Sequence, residues 1–328
     1  MSEIPRSTAS THDSFASVIA PLLFDGTRAE RSPSLHIVLS GSVHGRSRAT
    51  SRVRGPRVVL NARDLEVVAD GLSGGAVDVR QTAAGWLQRA LTEARERRVS
   101  VVLEGAFGSS DLISGISRLF EASGYETRLW AVAERSSEVR MADASRSFDI
   151  QLRQRSVVLG PLARADVDVA ATLSDVVAAG AVGRVTVLSR GGDVVADVPR
   201  ADPGYSAAGN AMREAASQPL GTLRSTLWLA ELRRMTRLLS ERQPAPAWAY
   251  EELVALHEAA LADIVPGLPI EANSETRSVQ ETRLRAALTV LRESATNAAR
   301  DSATPEVRRS ATAEPVVSPH RETPGLSR

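Results

Sequence analysis

The segment Val38-Leu-Ser-Gly-Ser-Val-His-Gly-Arg-Ser-Arg48 gathers glycines, serines and a cation into one short stretch after an apolar run. When such a loop opens a helix, its backbone N–H groups point at an anion and the helix dipole adds to the attraction. The phosphate-cradling fingerprint with this composition is G-x-x-x-x-G-K-[ST]. Here the stretch from Gly41 to Gly45 is one residue short, and Arg46-Ser47 stand where Lys-Ser/Thr belong. If the spacing is kept, Ser40 takes the first glycine's place. Either alignment makes Gly41, Ser42, Gly45, Arg46 and Ser47 the candidate phosphate-binding residues. The chain has no lysine at all, so all 40 basic residues are arginines. A GC-rich genome produces that bias without selection, so only the position of Arg46 carries meaning. Arginine can hold a phosphate bidentately, but its planar fork does not replace a compact ammonium.

Composition narrows the remaining chemistry. There is no cysteine, which excludes disulfides, thiolate nucleophiles and zinc–thiolate sites. The five histidines (His12, His36, His44, His257 and His320) are scattered, so no metal site is expected. The net charge is +1, which argues against binding nucleic acid or membrane by charge. The run Arg46, Arg48, Arg52, Arg54, Arg57 has no acid within it, and a solvated face is its ordinary reading. No stretch approaches the ~20 apolar residues of a membrane span. The apolar run from Phe15 to Phe24 lacks the cationic start of a signal peptide. The expected location is therefore the cytoplasm.

The elements that must position these residues alternate. Leu35–Leu39, Val58–Leu60, Val99–Leu103 and Thr127–Ala133 are β-branched or apolar runs bounded by turn residues, and they read as strands. Helical spacing appears at 13–23, 79–98, 110–122, 136–154 and 164–179. Val185–Leu188 and Val194–Val198 flank Ser189-Arg-Gly-Gly-Asp193, the signature of a hairpin. This alternation predicts an α/β fold: a P-loop kinase-like parallel sheet flanked by helices, with a terminal antiparallel hairpin. A helical region follows, with helices expected at 221–242, 248–264 and 279–300. Aromatics make up only 4%, so a core of Val, Leu, Ile and Ala is expected. The expected organisation is a disordered N-terminus at 1–12, the P-loop domain at 13–204, the helical region at 205–300 and a disordered tail at 301–328.

The series Val58-Val-Leu-Asn-Ala-Arg-Asp-Leu65, Val101-Val-Leu-Glu-Gly105, Tyr125-Glu-Thr-Arg-Leu-Trp-Ala-Val-Ala133 and the closing hairpin resembles the zeta toxin family. Those proteins are P-loop kinases that phosphorylate UDP-N-acetylsugars and are paired with antitoxins. The resemblance spans roughly residues 13–198. It implies ATP and Mg as cofactors, a nucleotide sugar as substrate and an antitoxin as partner. It places the phosphate loop at Gly41–Ser47, with Arg46 for the lysine. The family's base is an aspartate in a pattern like Ile-Asp-x-Asp-Asp-Leu. Here that position is Arg63, the first aspartate is Asn61, and Asp64 remains one residue on as the catalytic candidate. Glu104 matches the substrate-binding glutamate, although the threonine after Glu-Gly is Ala106; a helix-capping role is the plain alternative for Glu104. Arg146 matches the first phosphate-clamping arginine. The second falls in Val157-Val-Leu-Gly-Pro161, which has no arginine, leaving Arg155 or Arg164 as displaced substitutes. The implied reading is a zeta-toxin scaffold that binds a nucleotide or partner with weakened or lost catalysis. An active kinase with a rewired site and an interaction protein using its C-terminal helices are the rivals.

Overall fold

In the computed structural model, residues 14–55, 57–73, 78–105, 107–153, 168–241 and 245–303 are described. The expectations for 1–12, for Ala106, for 154–167 with Arg155 and Arg164, and for the tail beyond 303 lie outside them. The chain divides into two compact units, residues 1–228 and 229–328.

The first unit is built on one six-stranded sheet. Its strands are β1 (Ser34–Leu39), β2 (Val58–Asn61), β3 (Val101–Gly105), β4 (Glu126–Val132), β5 (Arg184–Leu188) and β6 (Val194–Pro199), in the order β2-β3-β1-β4-β5-β6. The first five run parallel, and β6 returns antiparallel to β5. That return uses the glycine-rich turn, in which Gly192 has φ 93°. Strand β1 is central and its last three residues are buried on both faces, which is why Ile37-Val38-Leu39 is a continuous apolar run rather than an alternating one.

The helices of this unit are α1 (Ala20–Phe24, preceded by a wide turn at Phe15–Ile19), α2 (Val43–Thr50), α3 (Ala62–Ser73), α4 (Val79–Arg97), α5 (Ser110–Glu121), α6 (Ser136–Arg153), α7 (Val169–Ala178) and α8 (Ala208–Ser217). Asp78, Ser109 and Asp168 cap α4, α5 and α7 through their side chains. Leu35, Ile37, Leu103, Leu129 and Val185 from the sheet meet Ile113, Phe120, Leu173 and Met212 in one core. Aromatics are few, yet all five phenylalanines (Phe15, Phe24, Phe107, Phe120 and Phe148) are buried.

Strand β3 starts two residues later than its sequence suggests. Arg98 takes a left-handed conformation (φ 53°) that ends α4, and Val99 donates back to the Ala94 carbonyl. The buried Tyr125 hydroxyl then donates to the carbonyls of Ala94 and Val99, at 2.8 and 3.2 Å. Val99 therefore closes a helix instead of opening a strand, despite its β-branched side chain.

The second unit holds most of α9 (Thr222–Glu241), then α10 (Ala247–Ala259), a wide turn at Ala260–Ile264, and α11 (Glu275–Ala303). Leu232, Met235, Leu239, Leu253, Leu256, Ile264, Leu284 and Leu288 are among its buried apolar residues. Among the described residues no helix is long and apolar enough to cross a membrane.

Candidate functional site

The parallel strands end along one edge of the sheet, and ligands of open α/β sheets sit there, at the point where the strand order reverses. That point is the end of β1, between β3 and β4. The sequence places Ser40-Gly-Ser42 just beyond it, and α2 begins at Val43. The connection is thus three residues long. Gly45, Arg46 and Ser47 lie inside the helix rather than in a wide loop.

This short loop is already engaged by an acid of the chain itself. Ser40 Oγ donates to the Glu134 carboxylate at 2.8 Å, and the Ser42 backbone N–H donates to the same oxygen at 3.2 Å. Ser42 Oγ donates to the second oxygen of Glu134. Ser42 Oγ also caps α2 by accepting from Gly45 N–H at 2.9 Å. Glu134 reaches this place because it follows β4, whose Ala131 is in register with Leu39 of β1. The fit is close. A Cβ on Gly45 would come within 2.7 Å of Glu134, and one on Gly41 within 2.7 Å of Val139 in α6. Close packing therefore favours glycine at both positions.

Beside the loop lies a pocket of about 420 Å³. It is lined by Arg46, Ser47 and Thr50 of α2, Asn61 at the end of β2, Arg63 and Asp64 of α3, Glu104 of β3 and Arg146 of α6. The structure thus brings five sequence candidates together: Arg46, Ser47, Asp64, Glu104 and Arg146. Gly41, Ser42 and Gly45 stay with the loop outside this lining, and His44 is exposed on α2.

Glu104 is held from two sides. Thr50 Oγ1 donates to one carboxylate oxygen, and Asn61 Nδ2 to the other at 3.1 Å. The Asn61–Glu104 bond follows from register, since the two residues are direct partners on β2 and β3. Asn61 Oδ1 in turn accepts the Arg63 N–H at 3.0 Å, which starts α3. Glu104 is therefore fixed across the strand ends and does not cap a helix.

Arg46 is only 8% exposed. One of its terminal nitrogens donates to the Ser40 carbonyl at 3.2 Å, and its buried Nε has no partner among the described residues. Burial lowers its pKa, opposed by the charges of Asp143, Glu104 and Glu134, with Arg63 adding to the lowering. Burial also lowers the pKa of Arg63, followed by repulsion from Arg146. Both remain protonated, as guanidinium groups do in proteins. Three mutually repelling cations, one with an orphaned buried N–H, make the pocket suited to an anion such as a phosphate group. Among the described residues no group of three or more His, Asp and Glu side chains could hold a metal ion. A magnesium ion would have to arrive with phosphates, as it commonly does.

The zeta toxin family model matches residues 69–196. These residues carry β3, β4, β5 and the first half of β6. Over these residues the chain is similar to the zeta toxin family. Among solved structures, one from the PezAT chromosomal toxin–antitoxin system of Streptococcus pneumoniae is similar at 13% identity and a TM-score of 0.57, covering 70% of this chain and 96% of that one. A complex of AvrRxo1-ORF1 with AvrRxo1-ORF2 containing sulphate ions is similar at 13% identity and a TM-score of 0.38, covering 76% of this chain and 81% of that one. No curated protein sequence matches the chain. The similarity to the PezAT structure is one of fold, a mostly parallel sheet with flanking helices.

Two contributors escaped the sequence reading. Thr50 and Glu134 belong to no motif; each acts through a side chain brought in from a distant stretch. A usable signal for Glu134 was its place, an acid directly after the strand that neighbours the phosphate strand.

Proposed function

We propose that this zeta-toxin domain binds a phosphorylated ligand, a nucleotide or nucleotide sugar, in the pocket of Arg46, Arg63 and Arg146, and that it transfers phosphate slowly or not at all. The observation that carries the reading is the Glu134 carboxylate seated on the donors of the loop. Phosphoryl transfer depends almost entirely on positioning and charge neutralisation by such a loop and its cation. Here the loop's donors face a fixed negative charge, the cation is an arginine turned back onto Ser40, and Arg63 stands where the family's base would be. Losing one preorganised charge contact costs about a hundredfold or more in rate, and losing a general base about another 10² to 10⁴. Ligand binding needs less than this and is served by the three guanidinium groups. An antitoxin is a fitting partner, because the PezAT neighbour comes from a toxin–antitoxin system.

One observation favours a second reading, an active kinase with a rewired site. Glu104 is held in place by two donors, and Asp64 lines the same pocket, so a substrate hydroxyl could meet a carboxylate there. The two readings separate in one experiment. The full chain is incubated with ATP, magnesium and UDP-N-acetylglucosamine at high protein concentration, and both the melting temperature and phosphorylated sugar are followed. The proposal expects a ligand-induced rise in melting temperature that Arg46→Ala removes, with little or no product. Multiple turnovers abolished by Glu104→Ala would establish the active kinase instead. No melting shift with either ligand would refute both.

A further inference from the structure

The second unit carries a pocket that the zeta-toxin chemistry does not use. It has a volume of about 420 Å³ and opens among α9, α10 and α11, entirely within residues 229–287. That volume lies in the range of small-molecule sites. Its floor is apolar: Leu232 and Leu284 line it and are both buried. Its rim is cationic. Arg233 and Arg237 stand one helical turn apart on α9, and Arg283 faces in from α11. Arg233 donates to Gln280 at 3.4 Å. Arg237 and Arg283 make no hydrogen bond or ion pair among the described residues. No acidic side chain lines the pocket.

Arginines often lie over leucines with their heads in water, so the rim alone would mean little. His257 changes the reading. It lines the same pocket and is only 3% exposed. Its Nδ1 contacts the Leu253 carbonyl at 2.8 Å. A carbonyl can only accept, so Nδ1 carries the proton and Nε2 keeps a free lone pair. Burial lowers the pKa of His257, which keeps the ring neutral near pH 7. No described residue bonds Nε2. That acceptor nitrogen is open to a donor from a ligand, in a pocket that Arg237 and Arg283 also line.

We propose that this pocket is a binding site for a small amphipathic anion: a short hydrocarbon body on the leucine floor, a carboxylate or phosphate head between Arg237 and Arg283, and a hydroxyl donating to His257 Nε2. Free acids and phosphate esters share this chemistry, and the choice of head group separates them.

The test uses the full chain carrying Arg46→Gln, so that anion binding at the sheet pocket does not contribute. Decanoate and decyl phosphate are titrated by calorimetry below their micelle concentrations, with decanol and inorganic phosphate as controls. The expected result is one site per chain for at least one amphipathic anion, with the tighter of the two naming the head group. Both controls should bind at least about tenfold more weakly, and Arg237→Gln with Arg283→Gln should weaken the anion by about tenfold or more. 3-Hydroxydecanoate should bind more tightly than decanoate; equal affinity removes His257 from the site. Decanol binding as tightly as the anions, inorganic phosphate doing so, no binding at millimolar ligand, or indifference to the double variant overturns the proposal. None of these results depends on whether the sheet pocket binds nucleotides.

Discussion

Glu134→Ala should make the chain a better phosphate binder and a less stable protein. The stability cost follows from the contacts. The carboxylate accepts from Ser40 Oγ, Ser42 N–H and Ser42 Oγ, and bonds to a charged acceptor contribute about 1.5–3 kcal/mol each in isolation. The residue is half-buried, so water can satisfy the released hydroxyls, and a net loss of about 1–2 kcal/mol is expected. The affinity gain follows from charge. At about 4 Å and an effective dielectric near 20, two unit negative charges repel by about 4 kcal/mol. Because Glu134 is only half-buried and water screens its charge, about half of that is recovered on its removal, or about thirtyfold in Kd. The assay is calorimetric titration of pyrophosphate and ATP at fixed ionic strength, with urea unfolding alongside. Glu134→Gln separates charge from shape and should recover most of the gain. If Glu134→Ala and Glu134→Gln both leave Kd within about twofold of the parent, the carboxylate does not compete with phosphate and the reasoning fails.

Three further outcomes follow from the same geometry. Arg46→Lys with Arg63→Asp should restore little turnover while Glu134 remains, because the new ammonium would pair with it; adding Glu134→Ala should raise ATP-dependent sugar phosphorylation at least about tenfold over the double variant. Tyr125→Phe leaves the Val99 carbonyl without its hydroxyl donor and should cost about 1–3 kcal/mol in urea unfolding of the first unit. His36 has its pKa lowered from 6.5 to about 4, first by burial and then by Arg128 and Arg57. The unfolded state therefore binds the proton first, and stability is complete above pH 6.5 and declines as pH falls toward 4. The full effect is worth about 3 kcal/mol, and His36→Gln should flatten that part of the stability–pH curve. A slope unchanged by the substitution would show that His36 is not responsible.

The strands were legible because each is a short β-branched run closed by glycine or a turn residue, and a sheet buried on both faces demands such runs. The hairpin was legible from Ser189-Arg-Gly-Gly-Asp193 for the same local reason. Helix α3 was harder to see, since Ala62-Arg-Asp-Leu65 reads as a loop until Asn61 is placed to accept the Arg63 N–H. The start of β3 depended on Tyr125, far along the chain. The gathering of Arg46, Asp64, Glu104 and Arg146 could be anticipated only through the family resemblance, because it depends on strand order. Glu134 offered only its place after β4 as a signal. Its role exists only when β4 lies beside β1 in a particular register, so that place gains meaning only once the strand order is known.

The seat that Gly45 leaves for Glu134 has a historical consequence. Ser40, Ser42, Gly45 and Glu134 now satisfy one another, so each is maintained by folding rather than by turnover. Selection for a stable apoprotein would preserve this arrangement even where no substrate is ever phosphorylated. A single substitution toward a lysine-bearing loop would meet a carboxylate already in residence, and removing the carboxylate alone would cost stability before any gain in activity. On the proposed reading, the path to an efficient kinase thus runs through intermediates that are worse on one count or the other, and a lineage that enters this configuration tends to stay in it.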